Sequence, residues 1–191
     1  MLARIVTLTA LAVGGALLAK QMKKSANAGQ DDSSVRESID VNVPIRAAYD
    51  QFTQFEEFPR FMDSVHEIRQ LDDKRLHWKA DVMGKPIEWD AEITEQIPDQ
   101  KIAWRSTSGT PNEGVVTFQS LGRSRTRVTL QMSYQPQDAV ESIGDMLGAV
   151  RMEAKGNLKK FKEMIEQRGG QETGAWRGTI NSQQDTSTTQ H

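Results

Sequence analysis

The chain has 191 residues, 24 Lys+Arg against 26 Asp+Glu, and no cysteine. That length accommodates one domain with a substantial core plus extensions. A formal net charge of -2 argues against a general nucleic-acid binder. The missing Cys excludes disulfides, Cys-ligated zinc, iron–sulfur clusters and a thiol nucleophile.

Apolar residues concentrate at the start. Ile5 to Ala19 is uncharged and mostly aliphatic, with Arg4 before it and Lys20, Lys23 and Lys24 after it. As a helix this run spans roughly 22 Å, short of the roughly 30 Å hydrocarbon core of a bilayer. Met1, Leu2 and the stems of Arg4 and Lys20 extend it by snorkelling. Residues 1–24 are read as an anchor helix that crosses the inner membrane once through residues 5–19. The lysines that follow keep the domain cytoplasmic. The competing reading is a signal peptide, with secretion after cleavage near Ala26-Asn27-Ala28, although three lysines separate that site from the apolar run. Residues 25–34 (Ser25 to Ser34) are small and polar and read as a linker.

From Val35 to Arg168 alternation dominates. Val35, Ile39, Val41 and Val43 share one strand face, interrupted by Glu37. Pro44 then opens a helix through Ala47 to Phe52, and a second short turn carries Phe55, Phe58, Phe61 and Met62 around Pro59. Strands follow at 65–71 and 75–82, the second with Leu76, Trp78, Ala80 and Val82 on one face. Gly84-Lys85-Pro86 turns into a strand carrying Ile87, Trp89, Ala91 and Ile93, and Pro98-Asp99-Gln100 turns into one carrying Ile102 and Trp104. A longer loop, Gly109 to Gly114, precedes Val116 and Phe118; after Gly122-Arg123-Ser124 come Val128, Leu130, Met132 and Tyr134. Short connections make consecutive strands neighbours in an antiparallel meander, one face wet and one buried.

From Ala139 the apolar residues fall three or four apart, at Val140, Ile143, Leu147, Val150, Ala154, Leu158, Phe161 and Ile165. This is one face of a long amphipathic helix, N-capped by Asp138 and stopped by Gly169. Gly144, Gly148 and Gly156 allow two readings: a thin patch over unfilled space, or close packing on the sheet. Residues 169–191 (Gly169 to His191) read as a disordered tail, in which Trp176 either docks or stays solvated. The architecture expected is α+β: a curved antiparallel sheet around a long C-terminal helix, preceded by a hydrophobic helix.

The order of elements resembles the SRPBCC superfamily, the START-like and polyketide cyclase/dehydrase helix-grip proteins. The residues that carry the resemblance are Val41-Asn42-Val43-Pro44-Ile45-Arg46-Ala47-Ala48-Tyr49, the run Phe55 to Met62, Trp89-Asp90-Ala91-Glu92-Ile93, Trp104-Arg105-Ser106, Gly114 to Phe118 and Thr126 to Leu130. The match covers residues 35–168 and is similar to the bacterial cyclase/dehydrase-like branch. It implies a helix-grip fold and a ligand cavity between sheet and helix. Activity must be argued from the site, because the superfamily holds carriers, cyclases and hydratases alike.

No His-x-x-x-His pair, nucleophile elbow or phosphate loop is present, so neither a metal nor a cofactor is expected. Glu88, Asp90 and Glu92 sit on a polar strand face and read as cross-strand ion-pair partners of arginines such as Arg105 and Arg127. The candidate ligand-binding residues are Trp78, Trp89, Trp104, Phe118, Met132, Tyr134, Met146 and Leu147. The three tryptophans lie at matching positions on consecutive strands and either line an apolar pocket or fill the core. The leading reading is non-enzymatic binding or transport of a hydrophobic small molecule or lipid (quinone, isoprenoid or polyketide-like), with no nucleic-acid partner and no oligomeric state implied. A cyclase/dehydratase enzyme is the first alternative and requires Glu37, Glu67 or His66 to face the cavity. A stress-related envelope protein that docks a partner is the second.

Overall fold

The computed structural model describes residues 34–82, 84–109, 111–134, 143–171 and 173–181; the side chains of Val82, Tyr134 and residues 143–146 are outside that description. The anchor expected over residues 1–24 and the linker expected over 25–34 lie outside the described residues except for Ser34, which is already in the first strand, and Asp138 and the tail beyond residue 181 lie outside them too. Among the described residues no helix is long and apolar enough to cross a membrane.

Alternation produces seven strands: β1 Ser34–Val41, β2 Val65–Gln70, β3 Arg75–Val82, β4 Lys85–Ile97, β5 Lys101–Ser106, β6 Asn112–Gly122 and β7 Arg125–Tyr134. They form one antiparallel sheet in the order β1-β7-β6-β5-β4-β3-β2. The meander is thus the one expected, and the first strand closes it against the last. The turn into β4 is tighter than Gly84-Lys85-Pro86 suggests, because Val82 already pairs with Lys85 and Pro86 lies within the strand. Helix α1 (Ile45–Phe52) and a 3-10 helix (Phe55–Arg60) fill the connection from β1 to β2. Helix α2 (Ile143–Gln167) closes the fold.

The β2–β3 turn shows how local chemistry fixes register. Asp72 accepts hydrogen bonds from the backbone N–H of Lys74 (2.9 Å) and Arg75 (2.7 Å), and from the Arg75 guanidinium at 2.6 Å. These donors, the Lys74 amide foremost, hold its carboxyl down from 3.8 to about 2. A depressed carboxylate stabilises the fold fully above its unfolded value and loses that contribution as pH falls through its folded value. Urea midpoints of the wild type and Asp72→Asn should therefore differ at neutral pH, and the gap should close as pH falls from 3.8 toward 2. A gap that persists at lower pH would assign the difference to something other than this charge.

Spacing likewise builds α2. Ala154, Leu158, Phe161 and Ile165 are buried against the sheet, α1 and the 3-10 helix. Gly169 ends the helix with a left-handed φ of 64°, which glycine adopts without Cβ strain. Gly148 and Gly156 correct both expectations, while the surroundings of Gly144 lie outside the described set. A Cβ added at Gly148 or Gly156 would meet nothing within 4 Å, and both residues are exposed. They neither thin the helix over a void nor bring it close to the sheet. Gly148→Ala and Gly156→Ala should each stabilise the domain by about 0.5–1 kcal/mol. Denaturant midpoints check this, and a destabilised variant would mean that the position is packed.

The tail also departs from expectation. Strand β4 has 13 residues against 8 in β3, and its pairing with β3 ends at Glu92. Beyond that point Gln96 and Ile180 exchange two backbone hydrogen bonds, both 2.9 Å, and Ile180 is buried. The segment 173–181 is held further by a Gln54–Gly174 hydrogen bond of 2.9 Å. Arg177 reaches both Asp50 and Asp99. An overhanging strand edge is a liability unless covered, and here the tail covers it. Trp176 remains 44% exposed, with its ring folded over Gly178.

Candidate ligand-binding cavity

Two sets of aromatic residues divide the space under α2. Phe52, Phe58, Phe61 and Phe161 meet at centroid distances from 5.0 to 6.5 Å and fill the region beneath the C-terminal half of the helix. The other half is not filled. A cavity of ≈190 Å³ lies there between the sheet and Leu147, Val150 and Ala154 of α2, with Phe52, Phe55 and Phe58 forming part of its wall.

Five of the eight sequence-derived residues line it: Trp78, Trp89, Trp104, Met132 and Leu147. Trp78 and Trp89 are direct cross-strand partners, and their rings stack at 5.4 Å with 14° between planes. Trp104 is not in the same row. The turn after β4, and a bulge at Ile93/Glu95, set it opposite Ile93 on one side and Gly114 on the other. Its ring lies over the Gly114 backbone so closely that a Cβ there would sit 2.3 Å from Trp104 Cζ2. Phe118 is placed differently. It is buried against Tyr49 (5.5 Å) and Phe52 (5.9 Å), beneath α1 and off the cavity wall. Tyr134 lies in β7 opposite Asn112, and Met146 in α2, but their side chains fall outside the described set.

The sequence reading did not find the polar rim. Ser64, Asn112, Glu153 and Asn157 also border the cavity. Glu153 is exposed, so the cavity reaches solvent beside it, and Ser64 hydrogen-bonds its carboxylate. Lys160 and Asp63 pair nearby, and together the two contacts clasp α2 to the segment before β2. The available signal was spacing, since Glu153 and Asn157 each follow an apolar stripe residue by three.

Glu37, Glu67 and His66, the three residues named for an acid–base mechanism, are not among those lining the cavity. Glu37 leans toward α2, where Arg151 (3.6 Å) and Lys155 (3.8 Å) pair with it. Glu67 lies 3.6 Å from Lys79 and 3.2 Å from Arg69. His66 lies 3.0 Å from Asp81 and is exposed. On the outer sheet face, His77 bonds Asp90 at 2.8 Å, and this contact holds the Asp90 carboxyl below the usual range. Glu88 and Glu92 pair there with Lys79 and Arg105, each worth little in solvent. Among the described residues, no group of three or more His, Cys, Asp or Glu is arranged to hold a metal ion.

A curved antiparallel sheet that grips a C-terminal helix, with an apolar cavity between them, defines a START-like domain. Residues 41–163 match the family described as polyketide cyclase / dehydrase and lipid transport, and the chain belongs to that family. It is 50% identical over 149 residues to an uncharacterized 17.2 kDa protein of Streptomyces lincolnensis from the melC2–rnhH intergenic region, which covers 78% of this chain and 99% of that protein. Among solved structures it resembles a START superfamily protein from Mycobacterium smegmatis (TM-score 0.63, 13% identity, 71% of this chain and 98% of that one). It also resembles the Zhui aromatase/cyclase from Streptomyces sp. R1128 (TM-score 0.62, 16% identity, 75% and 98%). At those identities the two structural likenesses speak to the fold.

Proposed function

We propose that the domain binds a compact hydrophobic small molecule in the cavity under the N-terminal half of α2 and carries or presents it without transforming it. The observation behind this reading is an apolar cavity of ≈190 Å³, walled by three tryptophans, that Glu37, Glu67 and His66 do not reach. Its volume narrows the ligand. A dry cavity of about 150 Å³ holds one benzene, so this one suits one or two fused rings and is too small for a polyprenyl chain. Tethering through residues 1–24 in the inner membrane would place the domain beside a membrane-dissolved supply and raise the effective concentration. Native mass spectrometry of detergent-extracted protein tests the reading. A stoichiometric small-molecule adduct supports it, and a bare chain mass from several hosts counts against it.

One observation favours a second reading, an enzyme of the cyclase/dehydratase kind: Glu153 puts a carboxylate on the cavity rim. Under that reading, Glu153→Gln retains ligand but stops its conversion. Under the carrier reading, ligand recovered from wild type is chemically unchanged.

A further inference from the structure

We propose a second binding site, between the 3-10 helix and the docked tail, for a short organic ammonium ion with a hydroxyl or carbonyl group at its far end, an amino alcohol in the simplest case. The two cavities share Phe55 alone among their lining residues, so this site stands or falls independently of the ligand-binding reading above.

A cavity of ≈220 Å³ opens where the link after α1, the β2–β3 turn, the overhang of β4 and the tail converge. Burial divides its wall. Thr53, Phe55 and Gln96 are buried and form its inner end, whereas Glu56, Asp73 and Trp176 are exposed and form its mouth. The mouth suits a cation. Asp73 has no partner among the described residues, and Glu56 accepts one bond of 3.2 Å from the Gln70 N–H. Glu57 also lines the cavity but is committed to Gln51 and Arg168. No lysine or arginine is among the lining residues. Trp176 adds the aromatic surface that organic cations favour. The Gln54–Gly174 bond fixes the tail on one side of it, and Arg177 and Ile180 fix it on the other, so the ring is held at the mouth instead of being buried.

The inner end calls for a polar group. Gln96 is 3% exposed, and both its backbone groups are bonded to Ile180. Its side-chain amide, beside the Tyr49 hydroxyl, has no other partner among the described residues. A buried amide left unpaired costs its desolvation, and a hydroxyl or carbonyl on the ligand completes it. Volume sets the length. A cavity of about 150 Å³ holds one benzene, so a chain of about seven non-hydrogen atoms fits here. With the carboxylates at the mouth, the ligand enters uncharged end first. A lysine side chain would instead carry its ammonium past them to the neutral end, which favours a free amine over a peptide.

The probes are 5-aminopentan-1-ol, its neutral analogue pentane-1,5-diol, and pentylamine, which lacks the hydroxyl. Saturation-transfer NMR titrations on the full chain give affinities for wild type, Asp73→Asn and Trp176→Leu, both substitutions at exposed positions. The amino alcohol should bind wild type at least about tenfold more tightly than the diol, and about fivefold more tightly than pentylamine, the size of one hydrogen bond. Each variant should weaken amino-alcohol binding about threefold to tenfold and leave the diol unchanged. In protein labelled with 5-fluorotryptophan, the Trp176 fluorine resonance should move on binding while those of Trp78, Trp89 and Trp104 stay. Affinity for the diol or for pentylamine equal to that for the amino alcohol overturns the proposal. So does a Trp176 resonance that stays in place while the amino alcohol binds, or no binding of any probe to folded wild type. Tighter binding of Nα-acetyl-lysine methylamide than of the amino alcohol would make the ligand a peptide side chain and overturn the proposed class.

Discussion

Replacing Phe161 with alanine destabilises the domain by about 4 kcal/mol, the usual cost of emptying a fully buried phenylalanine site. Phe161 is 0% exposed and stands edge-to-face with Phe52 at 5.2 Å and with Phe61 at 5.4 Å. It is the point where α2 locks onto both α1 and the 3-10 segment, so its loss removes transfer energy and two aromatic contacts together. Pro59 and the short 3-10 helix offer little freedom to collapse into the void. Urea unfolding with an unchanged slope should report the loss as a shifted midpoint. A cost below about 1 kcal/mol would mean that the phenylalanine cluster repacks, and that α2 is held mainly by its surface contacts.

The second large effect concerns the tail. Asp50 is 2% exposed within α1, and its bonded cation, Arg177, comes from a segment that composition alone would leave unstructured. Arg177 also donates to Asp99 at 2.7 Å and sits 5.6 Å from the centre of the Tyr49 ring. Breaking a buried pair by removing one partner costs about 3–5 kcal/mol. Arg177 is a quarter exposed and Arg46 approaches Asp50 at 3.8 Å, so for Arg177→Ala a loss of about 2 kcal/mol is expected. The Ile180 amide, which donates to Gln96, should lose hydrogen-exchange protection at the same time. Adding Asp50→Asn to Arg177→Ala should recover part of the stability, because the buried charge that has lost Arg177 is then gone. No recovery would locate the cost in packing around the guanidinium.

The sheet was legible because its signal repeats. Each strand alternates, and turns rich in Pro, Gly and Asp separate the strands at hairpin distances. The stripe from Leu147 to Ile165 was legible for the same reason. It also contained a clue that went unused: Gly156 lies two residues from both Ala154 and Leu158, and residues two apart do not share a helix face. What escaped depended on single events in space. Trp104 falls opposite Ile93 because one turn and one bulge set the register there. Residues 173–181 dock because the fold brings Asp50 and Asp99 to one arginine. Neither event leaves a periodic trace. Trp78, Trp89 and Trp104 line the cavity, but Phe118 belongs to the packing under α1, and the rim of Ser64 and Glu153 joins two segments far apart in sequence.

That a compact hydrophobic ligand occupies the space beneath the first half of α2 is tested most directly by closing that space. Ala154 is 4% exposed and lines the cavity, and a phenyl group added there would project into a void of ≈190 Å³. Calorimetric titration of naphthalene into wild type and Ala154→Phe, each shown folded by its thermal melt, gives the comparison. Affinity at least about tenfold weaker in the filled variant is the result predicted. Equal affinity in the two proteins would place the ligand elsewhere and contradict the assignment of this cavity.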